Sequence, residues 1–471
     1  MLASVPAGAT PIVPELPIIR TRAEGEQRAT FFELFFDLVY VFGVTQLSHH
    51  LLADISWSGA AETAFMLVAL YWAWNYTTWM TNWFDPDTVP VRLVLVFVML
   101  ASLLLAVAIP EGFGEHALLF ACAYSGLQIG RNTFVVAVTP HGEFNQNFRQ
   151  ILAWSVLSAP LWVAGGIVDA EALRWVLWLG ALGLDLVAPL VTYWLPGVGT
   201  TPMSQWQIEG AHFGERFQLF VIIALGESIV LAGATAAETG LSVDVVAALL
   251  LAFLSSTALW WLYFGQIAGT VLERIRTATA EERGQIGRDI YTYLHLPIIA
   301  GIVLFAVDDE LVIAHPTDDL HEAGALVALG GPALFLGGMI ACAARLGHAQ
   351  SVPRAVAVVA LLAAVPPVAG ADGLVVSALL AGLLGVLVVV EQLRGAHRGR
   401  GRARRDPRDR AASEPAGTPA PRCRRRAAGM RHHLRKGRPL ACHQPPSNQQ
   451  LLAAGGRRRR RRGFQVCCSV G

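Results

Sequence analysis

The chain has 471 residues, of which 54% are apolar and only 15% charged, with a mean hydropathy of +0.48 and a formal net charge of +1. A typical soluble domain carries about 25% charged residues, so this composition excludes a soluble globule as well as a chain disordered throughout. It favours a polytopic helical membrane protein, provided that the apolar residues occur in runs of about 20.

The small net charge is the sum of the charges of two segments, one acidic and one basic. Residues 392–471 contain 22 of the 36 Lys and Arg residues but only three of the 35 acidic residues. Residues 1–391 therefore carry a formal charge of −18, and the C-terminal segment carries +19. This division predicts a membrane-embedded body followed by a basic tail with different physical properties.

Apolar runs long enough to cross about 30 Å of hydrocarbon recur throughout the body. They predict an all-α polytopic membrane protein with about twelve transmembrane helices. The predicted spans are residues 31–53, 59–80, 91–109, 115–139, 147–168, 171–194, 213–236, 243–268, 290–307, 322–344, 354–370 and 373–393. No signal-peptide pattern precedes the first run, because residues 1–30 are polar and proline-rich.

The first and seventh spans resemble each other, which indicates an internal repeat. The segment FFDLVYVFGVTQL at 35–47 aligns with RFQLFVIIALGES at 216–228, at an offset of 181 residues. This alignment predicts two six-helix halves, residues 31–194 and 213–393, related as parallel repeats. The alternative interpretation is a chance match between two apolar helices of similar composition.

Charged residues in the loops predict the orientation. With twelve spans, the N-terminal segment 1–30 and the even-numbered loops lie on one side, together with most of the arginines near the span ends. These are Arg20, Arg22, Arg28, Arg92, Arg149, Arg216, Arg274, Arg276, Arg283, Arg288, Arg345 and Arg354. The opposite side has Arg174 and most of the loop acids, including the run Asp308-Asp309-Glu310. Because positive charge in short loops marks the cytoplasmic side, both termini are expected in the cytoplasm.

Tryptophan placement agrees with the predicted span ends. Indole rings favour the interface between membrane and water, and several tryptophans fall near the ends of spans. They are Trp57, Trp79, Trp83, Trp175, Trp194 and Trp206. We expect these side chains to lie at the interface, whereas Trp72 and Trp162 are expected to pack between helices.

Polar and ionisable side chains within or next to the predicted spans are the best candidates for function. A charge inside a span costs at least about 2.5–3.5 kcal/mol on insertion, so it usually faces a partner or a water-filled cavity. The candidate residues are Glu33, Asp37, Gln46, Arg131, Asp185, Glu215, Arg216, Glu227, Ser228 and His295. We expect neither a metal, a cofactor nor an enzyme, because the sequence has no zinc-ligand spacing, no metalloprotease or serine-hydrolase motif and no Walker A motif.

Glu227 is the strongest of these candidates because it lies near the middle of the seventh span. Arg216 shares its helix face but is about 16 Å away along the axis, so each side chain needs a partner on another helix. Glu227 is either a carboxylate in a proton or ion path or half of a buried structural pair. Asp37 has the same two interpretations, and Glu33 can instead be stabilised by the dipole at a helix N-terminus.

Two basic residues have alternative roles as well. Arg131 in the fourth span is expected either to neutralise a carboxylate or to extend towards the interface. The candidate carboxylates are Asp37, Asp185 and Glu227. His295 is followed by Pro297, a pattern that suits a proton relay at a kink, and a histidine hydrogen-bonded to a backbone carbonyl is an equal alternative.

Two segments share more than a membrane composition with a known family. They are FFELFFDLVYVFGVTQLSHHL (31–51) and GERFQLFVIIALGESIVLAG (214–233). Together with YTYLHLPIIAGIVLFA (291–306), they resemble the signature segments of the bacterial low temperature requirement protein A family, over about residues 28–393. The resemblance implies an integral membrane protein of the bacterial cell that is linked by name to growth in the cold. It implies no chemistry.

The tail, residues 394–471, is expected to be disordered and to lie near anionic lipids of the inner leaflet, where each basic residue contributes about 1 kcal/mol. Nucleic-acid binding is not expected, because no fold and no interleaved aromatic residues accompany the charge. Alternatively, the Arg, Pro and Ala bias indicates a GC-rich gene read out of frame or past its stop codon. An intact mass that matches all 471 residues would exclude this alternative.

Two functions agree with these features. Twelve spans, a six-plus-six repeat and intramembrane carboxylates favour an ion- or proton-coupled secondary transporter of an unidentified small solute or ion. The alternative is a non-transporting membrane scaffold or cold-stress adaptation protein, in which the polar groups only hold helices together. Flux measurements distinguish these two functions.

Overall fold

The computed structural model describes residues 18–20, 28–202, 206, 208–347 and 352–413. Within these ranges the protein is all-helical, with fourteen α-helices and no β-strand. The helices are α1 (Phe31–Ala53), α2 (Trp57–Trp83), α3 (Val89–Ala108), α4 (Ala117–Val138), α5 (Glu143–Ile167), α6 (Glu171–Val187), α7 (Gly210–Thr239), α8 (Val243–Leu262), α9 (Ala268–Thr277), α10 (Ala280–Ile286), α11 (Leu296–Ala314), α12 (Glu322–Arg345), α13 (Val352–Val368) and α14 (Gly373–Ser413). Two π-helical segments, at Tyr263–Ile267 and Gly287–Leu294, precede α9 and α11.

Each of the twelve predicted spans coincides with one of these helices. Seven helical segments in the described ranges are long and apolar enough to cross a membrane, and they begin with α1, α3, α5, α7, α8, α12 and α14. α6 and α13 are shorter, with 17 residues each. α2, α4 and α11 carry more polar side chains, many of them buried against neighbouring helices. The chain is therefore a multi-pass membrane protein.

Several helix boundaries differ from the prediction. α6 ends at Val187, two residues before Pro189, whose missing N–H cannot continue the helical hydrogen bonds. The span predicted at 290–307 consists of a π-helical segment followed by α11, and Pro297 occupies the first turn of α11, where it causes no kink. α14 continues to Ser413, beyond the predicted end at residue 393.

The terminal segments lie largely outside the described part of the chain. Of the N-terminal segment 1–30, only residues 18–20 and 28–30 are described. Residues 394–413 of the tail are part of α14, and the basic residues beyond them, for which disorder was predicted as well, lie outside the described residues. The chain forms two compact units, the first of which ends at Arg404, and the described part of the second is helical.

Three tryptophans predicted at the interface are buried instead. Trp79, Trp83 and Trp206 each expose less than a tenth of their surface. The ring centroid of Trp79 lies 5.7 Å from that of Trp83 and 5.4 Å from that of Trp206, so the three rings form a cluster. Trp57 and Trp194 are exposed. The position of a tryptophan along a span indicates its depth, but not whether its ring points towards lipid or towards other helices.

Several helix contacts follow a similar chain order in residues 31–187 and in residues 210–368. In the first half α1 packs against α2 and α3, and further contacts join α3 to α4 and α4 to α5. In the second half α7 packs against α8 and α11, and further contacts join α11 to α12 and α12 to α13. α1, α7 and α11 also contact one another. α1 and α7 therefore lie where these two groups of helices meet.

Candidate functional site

Polar side chains converge on a seam between α1, α7 and α11, the three helices that pack against one another. Along this seam they form an inner, a middle and an outer group. The inner group is Glu33, Asp37, His212 and Arg216, the middle group is Thr45 and Glu227, and the outer group is Asp308 and Asp309. Thr45 is half-buried and the other seven side chains are buried.

Helix capping fixes the depth of the inner group. The Thr30 hydroxyl accepts a hydrogen bond from the Glu33 N–H, and the Glu33 carboxylate accepts one from the Thr30 N–H at 2.9 Å. This capping box holds Glu33 in the first turn of α1, where the helix dipole also stabilises negative charge. At the start of α7, the Glu209 carboxylate accepts hydrogen bonds from the N–H groups of Ala211 and His212. Both helices therefore begin beside the inner group.

Glu33 has three basic partners. Its Oε2 accepts a hydrogen bond from Arg20 Nη2 at 2.8 Å, and its Oε1 lies 3.0 Å from His212 Nε2 and 3.5 Å from Arg216 Nη1. The other ring nitrogen of His212, Nδ1, lies 3.1 Å from the side-chain amide nitrogen of Asn82. Because an amide nitrogen only donates, His212 Nδ1 accepts and Nε2 carries the proton that faces Glu33. Direct ion pairs thus add to the dipole effect predicted for Glu33.

Asp37 is paired less completely than Glu33. Arg216 Nη2 donates to its Oδ1 at 2.6 Å, and Trp74 Nε1 donates to the same oxygen at 2.8 Å. In the part of the chain that the structure describes, Asp37 Oδ2 and Arg216 Nε are buried without a hydrogen-bond partner. Most buried polar atoms in proteins are paired. Asp37 therefore has one oxygen that can still accept a proton or bind a cation.

The middle group joins the central turns of α1 and α7. The Thr45 hydroxyl donates a hydrogen bond to Glu227 Oε1, and Glu227 exposes only 8% of its surface. The hydroxyl of the adjacent Ser228 lies 3.0 Å from that of Ser256 on α8. Among the described residues no cationic side chain pairs with Glu227, and Arg216 has its partners on α1. The Glu227 carboxylate therefore faces a neutral hydroxyl.

The outer group corrects the predicted loop after the ninth span. Asp308 and Asp309, which the sequence pattern assigns to a loop, lie within α11 and expose 2% and 5% of their surfaces. Asp308 Oδ1 has no hydrogen-bond partner within the described ranges. Val307 packs with Leu51 of α1, so this turn of α11 lies level with Leu51, about 9 Å beyond Thr45 along the axis of α1. The sequence prediction failed here because α11 continues beyond its expected end and packs against other helices.

Arg131 and Asp185 belong to a second polar network, which lies among α2, α4, α5 and α6. The Arg131 guanidinium donates to the Gln128 side chain and, at 3.3 Å, to the Thr77 hydroxyl. Asp185 Oδ2 accepts a hydrogen bond from the Tyr124 hydroxyl at 2.9 Å. No carboxylate of the described residues lies within ion-pair distance of Arg131, which is 1% exposed. Hydrogen bonds to neutral groups thus replace the predicted ion pair, and the side chain does not extend to the interface.

Three further candidates lie outside these groups. Half-buried Glu215 accepts a hydrogen bond at 2.8 Å from a backbone N–H just before α1, and Gln46 is half-buried on α1. His295 Nδ1 lies 2.9 Å from the Ile290 carbonyl, and His295 Nε2 lies 2.9 Å from the Tyr263 hydroxyl. Because a carbonyl only accepts, Nδ1 carries the proton and Nε2 accepts from the tyrosine. His295 therefore has the predicted alternative role of bonding a backbone carbonyl.

Five residues of this region were not identified from the sequence. They are Thr45, Trp74, His212, Asp308 and Asp309. The sequence does contain a feature that points to His212, because His212 precedes Arg216 by four residues and therefore shares its helix face. His212 was missed because it lies just before the predicted seventh span. Trp74 is a neutral donor within an aromatic run, and nothing in the run distinguishes it from its neighbours.

Comparison with known proteins identifies the family. The family model for the bacterial low temperature requirement A protein (LtrA) matches residues 28–390, which include every residue of the seam. An uncharacterized protein of Rhizobium meliloti (strain 1021) is 37% identical over 322 residues, which cover 68% of this chain and 78% of that protein. No solved structure matches the chain. The chain therefore belongs to the bacterial low temperature requirement A protein family, as its signature segments predict.

Proposed function

We propose that this protein is an ion- or proton-coupled secondary transporter whose coupling path follows the seam between α1, α7 and α11. The observation that carries the proposal is the succession of ionisable groups on three helices that pack together. At 1.5 Å per residue, Thr45 and its partner Glu227 lie about 12 Å beyond Asp37. Asp308 lies about 9 Å further on. Intramembrane carboxylates at successive depths are a feature of proton and ion pathways.

A six-plus-six organisation supports this proposal. Several contacts recur in the two proposed halves, with α1 on α2 and α3, and α7 on α8 and α11. Asp37 contacts Arg216 across 179 positions and Thr45 contacts Glu227 across 182, close to the 181-residue offset of the sequence repeat. This register is expected where a pseudo-two-fold axis along the membrane normal passes between two parallel helices. Secondary transporters bind their substrates at such repeat interfaces.

Replacing Glu227 tests the coupling role. We expect Glu227→Gln to abolish proton- or ion-coupled flux in proteoliposomes while the protein remains folded, because glutamine has the same shape and still accepts a hydrogen bond from Thr45. Flux is followed with a pH-sensitive dye inside the vesicles and with labelled ions and solutes outside. Glu322→Gln, at the exposed start of α12, is the matched control. Wild-type protein without any flux contradicts the proposal, and so does wild-type flux in Glu227→Gln.

One observation favours the second candidate, a non-transporting membrane scaffold or cold-stress adaptation protein. Glu33 is paired with Arg20, His212 and Arg216, an arrangement that also holds helices together without moving charge. Growth in the cold distinguishes the two functions. A scaffold supports growth equally well with Glu227→Gln, whereas a transporter with this substitution does not.

We further propose that the protein lies in the bacterial plasma membrane with both termini in the cytoplasm, where the basic tail meets anionic lipid. Single cysteines in a background without native cysteines test this orientation. Glu281→Cys, at an exposed position of α10, is expected to react with a membrane-impermeant maleimide only after permeabilisation. Asp318→Cys, in the exposed loop after α11, is expected to react in intact cells. The reverse labelling pattern contradicts the orientation.

A further inference from the structure

The Thr45 hydroxyl lies between two hydrogen-bond acceptors. Its oxygen is 3.1 Å from the backbone carbonyl oxygen of Val41, one turn earlier on α1, and it also contacts Glu227 Oε1 on α7. A hydroxyl group has a single hydrogen, so Thr45 donates to only one of these oxygens at a time. The hydrogen points to Glu227 when that carboxylate is ionised, and it is free to turn to Val41 when Glu227 carries a proton of its own.

The contact between Thr45 and Glu227 therefore exists in both protonation states of Glu227. In the ionised state Thr45 donates and the carboxylate accepts. In the protonated state the carboxyl O–H donates to Thr45 Oγ1, and Thr45 donates to the Val41 carbonyl, which has a second lone pair beside its helical hydrogen bond. A proton can thus bind to Glu227 and leave it while α1 and α7 stay in contact.

Few acidic, basic or histidine side chains lie near Glu227 on the helices that pack most closely against this part of α7. Residues 245–262 of α8 and residues 296–307 of α11 contain none. On α1 the nearest are Asp37, about 12 Å before the contact with Glu227, and His49, about 6 Å after it. An ionised carboxylate without a nearby cation is costly in a membrane, and a bound proton removes that cost.

The other ionisable groups beside α1 and α7 lie away from Glu227. Tyr40 of α1 turns to α3, where its hydroxyl lies 2.7 Å from that of Ser102. Tyr71 and His295 contact rings of α7 that lie at least seven residues, or about 10 Å, before Glu227. α9, which carries three charged residues, packs beside the first turns of α7. These groups leave Thr45 as the polar partner of the carboxylate.

The seam provides few free ligands for a metal cation. A cation such as Ca²⁺ takes about 6–8 oxygen ligands, and cation sites of transporters include backbone carbonyls of unwound helices. α1 and α7 are unbroken α-helices on both sides of the Thr45–Glu227 contact, so their carbonyls are engaged in helical hydrogen bonds. In the described part of the chain no three His, Cys, Asp or Glu side chains are arranged to hold a metal ion.

The unpaired oxygen of Asp37 suits a metal cation no better. Arg216 Nη2 lies 2.6 Å from the other oxygen of that carboxylate, and the positive charge of the guanidinium group repels a second cation. A proton needs only one oxygen atom to bind, and it displaces no ligand. The geometry along the seam therefore favours a proton over a metal cation.

We propose that the coupling ion of the seam is a proton, which Glu227 binds with Thr45 as its switching hydrogen-bond partner. An O–H bond forms on a Glu227 carboxylate oxygen as the proton leaves a hydronium ion on one side of the membrane and a water molecule remains. The same bond breaks when the proton passes to water on the other side. This assignment rests on the proposed transport function, because it names the ion that drives that function.

Infrared difference spectroscopy of the full-length protein in lipid bilayers, recorded between acidic and alkaline buffer, tests which ion Glu227 binds. We expect a C=O stretching band of a protonated carboxyl group that Glu227→Gln removes. Thr45→Val is expected to shift this band, because the carboxyl group loses its hydroxyl partner, and Thr45→Ser is expected to keep it near the wild-type position. Replacement of N-methylglucamine by Na⁺ or K⁺ at constant pH is expected to leave the band unchanged.

Thr257→Val is the matched control for Thr45→Val. The Thr257 hydroxyl also donates to the carbonyl four residues earlier, at 2.8 Å. Thr257 is exposed on α8, and its hydroxyl has no carboxylate partner among the described residues. Thr257→Val is therefore expected to leave the band at its wild-type position.

Flux in proteoliposomes separates failure of the proton assignment from failure of the transport function. A pH gradient in N-methylglucamine buffer is expected to drive flux, and a Na⁺ or K⁺ gradient at equal pH is not. Flux that only Na⁺ or K⁺ drives would overturn the proton assignment and leave ion-coupled transport intact. Absence of flux with every gradient would overturn the transport function, and the proton assignment with it.

Three spectroscopic results would also overturn the proton assignment. They are loss of the band on addition of Na⁺ or K⁺ at constant pH, a band that Glu227→Gln leaves in place, and equal band positions in Thr45→Val and the wild type. Melting temperatures measured in parallel show whether each variant is folded. If Glu227→Gln is unstable, Thr45→Val and the cation exchange on the wild type decide the question.

Discussion

Replacing the buried Arg216 by methionine is expected to destabilise the protein by about 3–5 kcal/mol, because removal of one member of a buried ion pair leaves an uncompensated charge. Asp37 would keep only the hydrogen bond from Trp74, whereas Glu33 would keep two other basic partners. Adding Asp37→Asn to Arg216→Met is expected to recover part of the loss, since it removes that charge. The measurement is the free energy of unfolding in mixed detergent micelles.

An exposed ion pair provides the control for Arg216→Met. Arg92 Nη2 lies 2.8 Å from Asp87 Oδ1, but both side chains are about half exposed. Arg92→Met is therefore expected to change stability by only about 0–1 kcal/mol. Equal losses in the two methionine variants would show that burial is not the cause. A loss in Arg216→Met that Asp37→Asn fails to reduce would show that the unpaired carboxylate is not the cause.

The helices could be predicted because only a few backbone conformations are stable inside a membrane. Backbone groups in hydrocarbon must form their hydrogen bonds internally, so each apolar run of sufficient length has to be a helix. The sequence also identifies Asp37 and Arg216, because they interrupt apolar runs. Their pairing could not be predicted, since it joins positions 179 residues apart and depends on α1 packing against α7. Helical periodicity indicates which face a residue occupies, but not which helix covers that face.

Residues near helix ends were the least predictable part of the site. Asp308 and Asp309 follow directly after the predicted end of a span, and sequence-based boundaries are uncertain by about 2–4 residues. Three consecutive acids favour a loop, because each carboxylate is costly in a membrane. Packing of α11 against α1, α7 and α12 overrides that preference and buries two of the three. His212 was missed for the same reason, because it lies just before the predicted start of the seventh span.

Alanine in place of Gly331 is expected to destabilise the protein, because the backbone of α11 lies directly against this residue of α12. A Cβ at Gly331 would lie 2.9 Å from the Phe305 backbone nitrogen and 3.0 Å from the Gly301 carbonyl oxygen. Backbone atoms cannot rotate away, so the two helices would have to separate. Overpacking of this kind costs about 1–3 kcal/mol. The loss is measured as a lower free energy of unfolding or a lower melting temperature.

The adjacent residue on α12 provides a matched control. A Cβ at Gly330 would meet only the Leu326 side chain, at 3.8 Å, so Gly330→Ala is expected to be neutral or to stabilise the helix by up to about 1 kcal/mol. Equal losses in the two variants would contradict close packing as the cause. α11 also carries the buried acids Asp308 and Asp309, in the turn that lies level with Leu51 of α1. If the seam is the coupling path, Gly331→Ala lowers coupled flux in the molecules that remain folded, and Gly330→Ala leaves it unchanged.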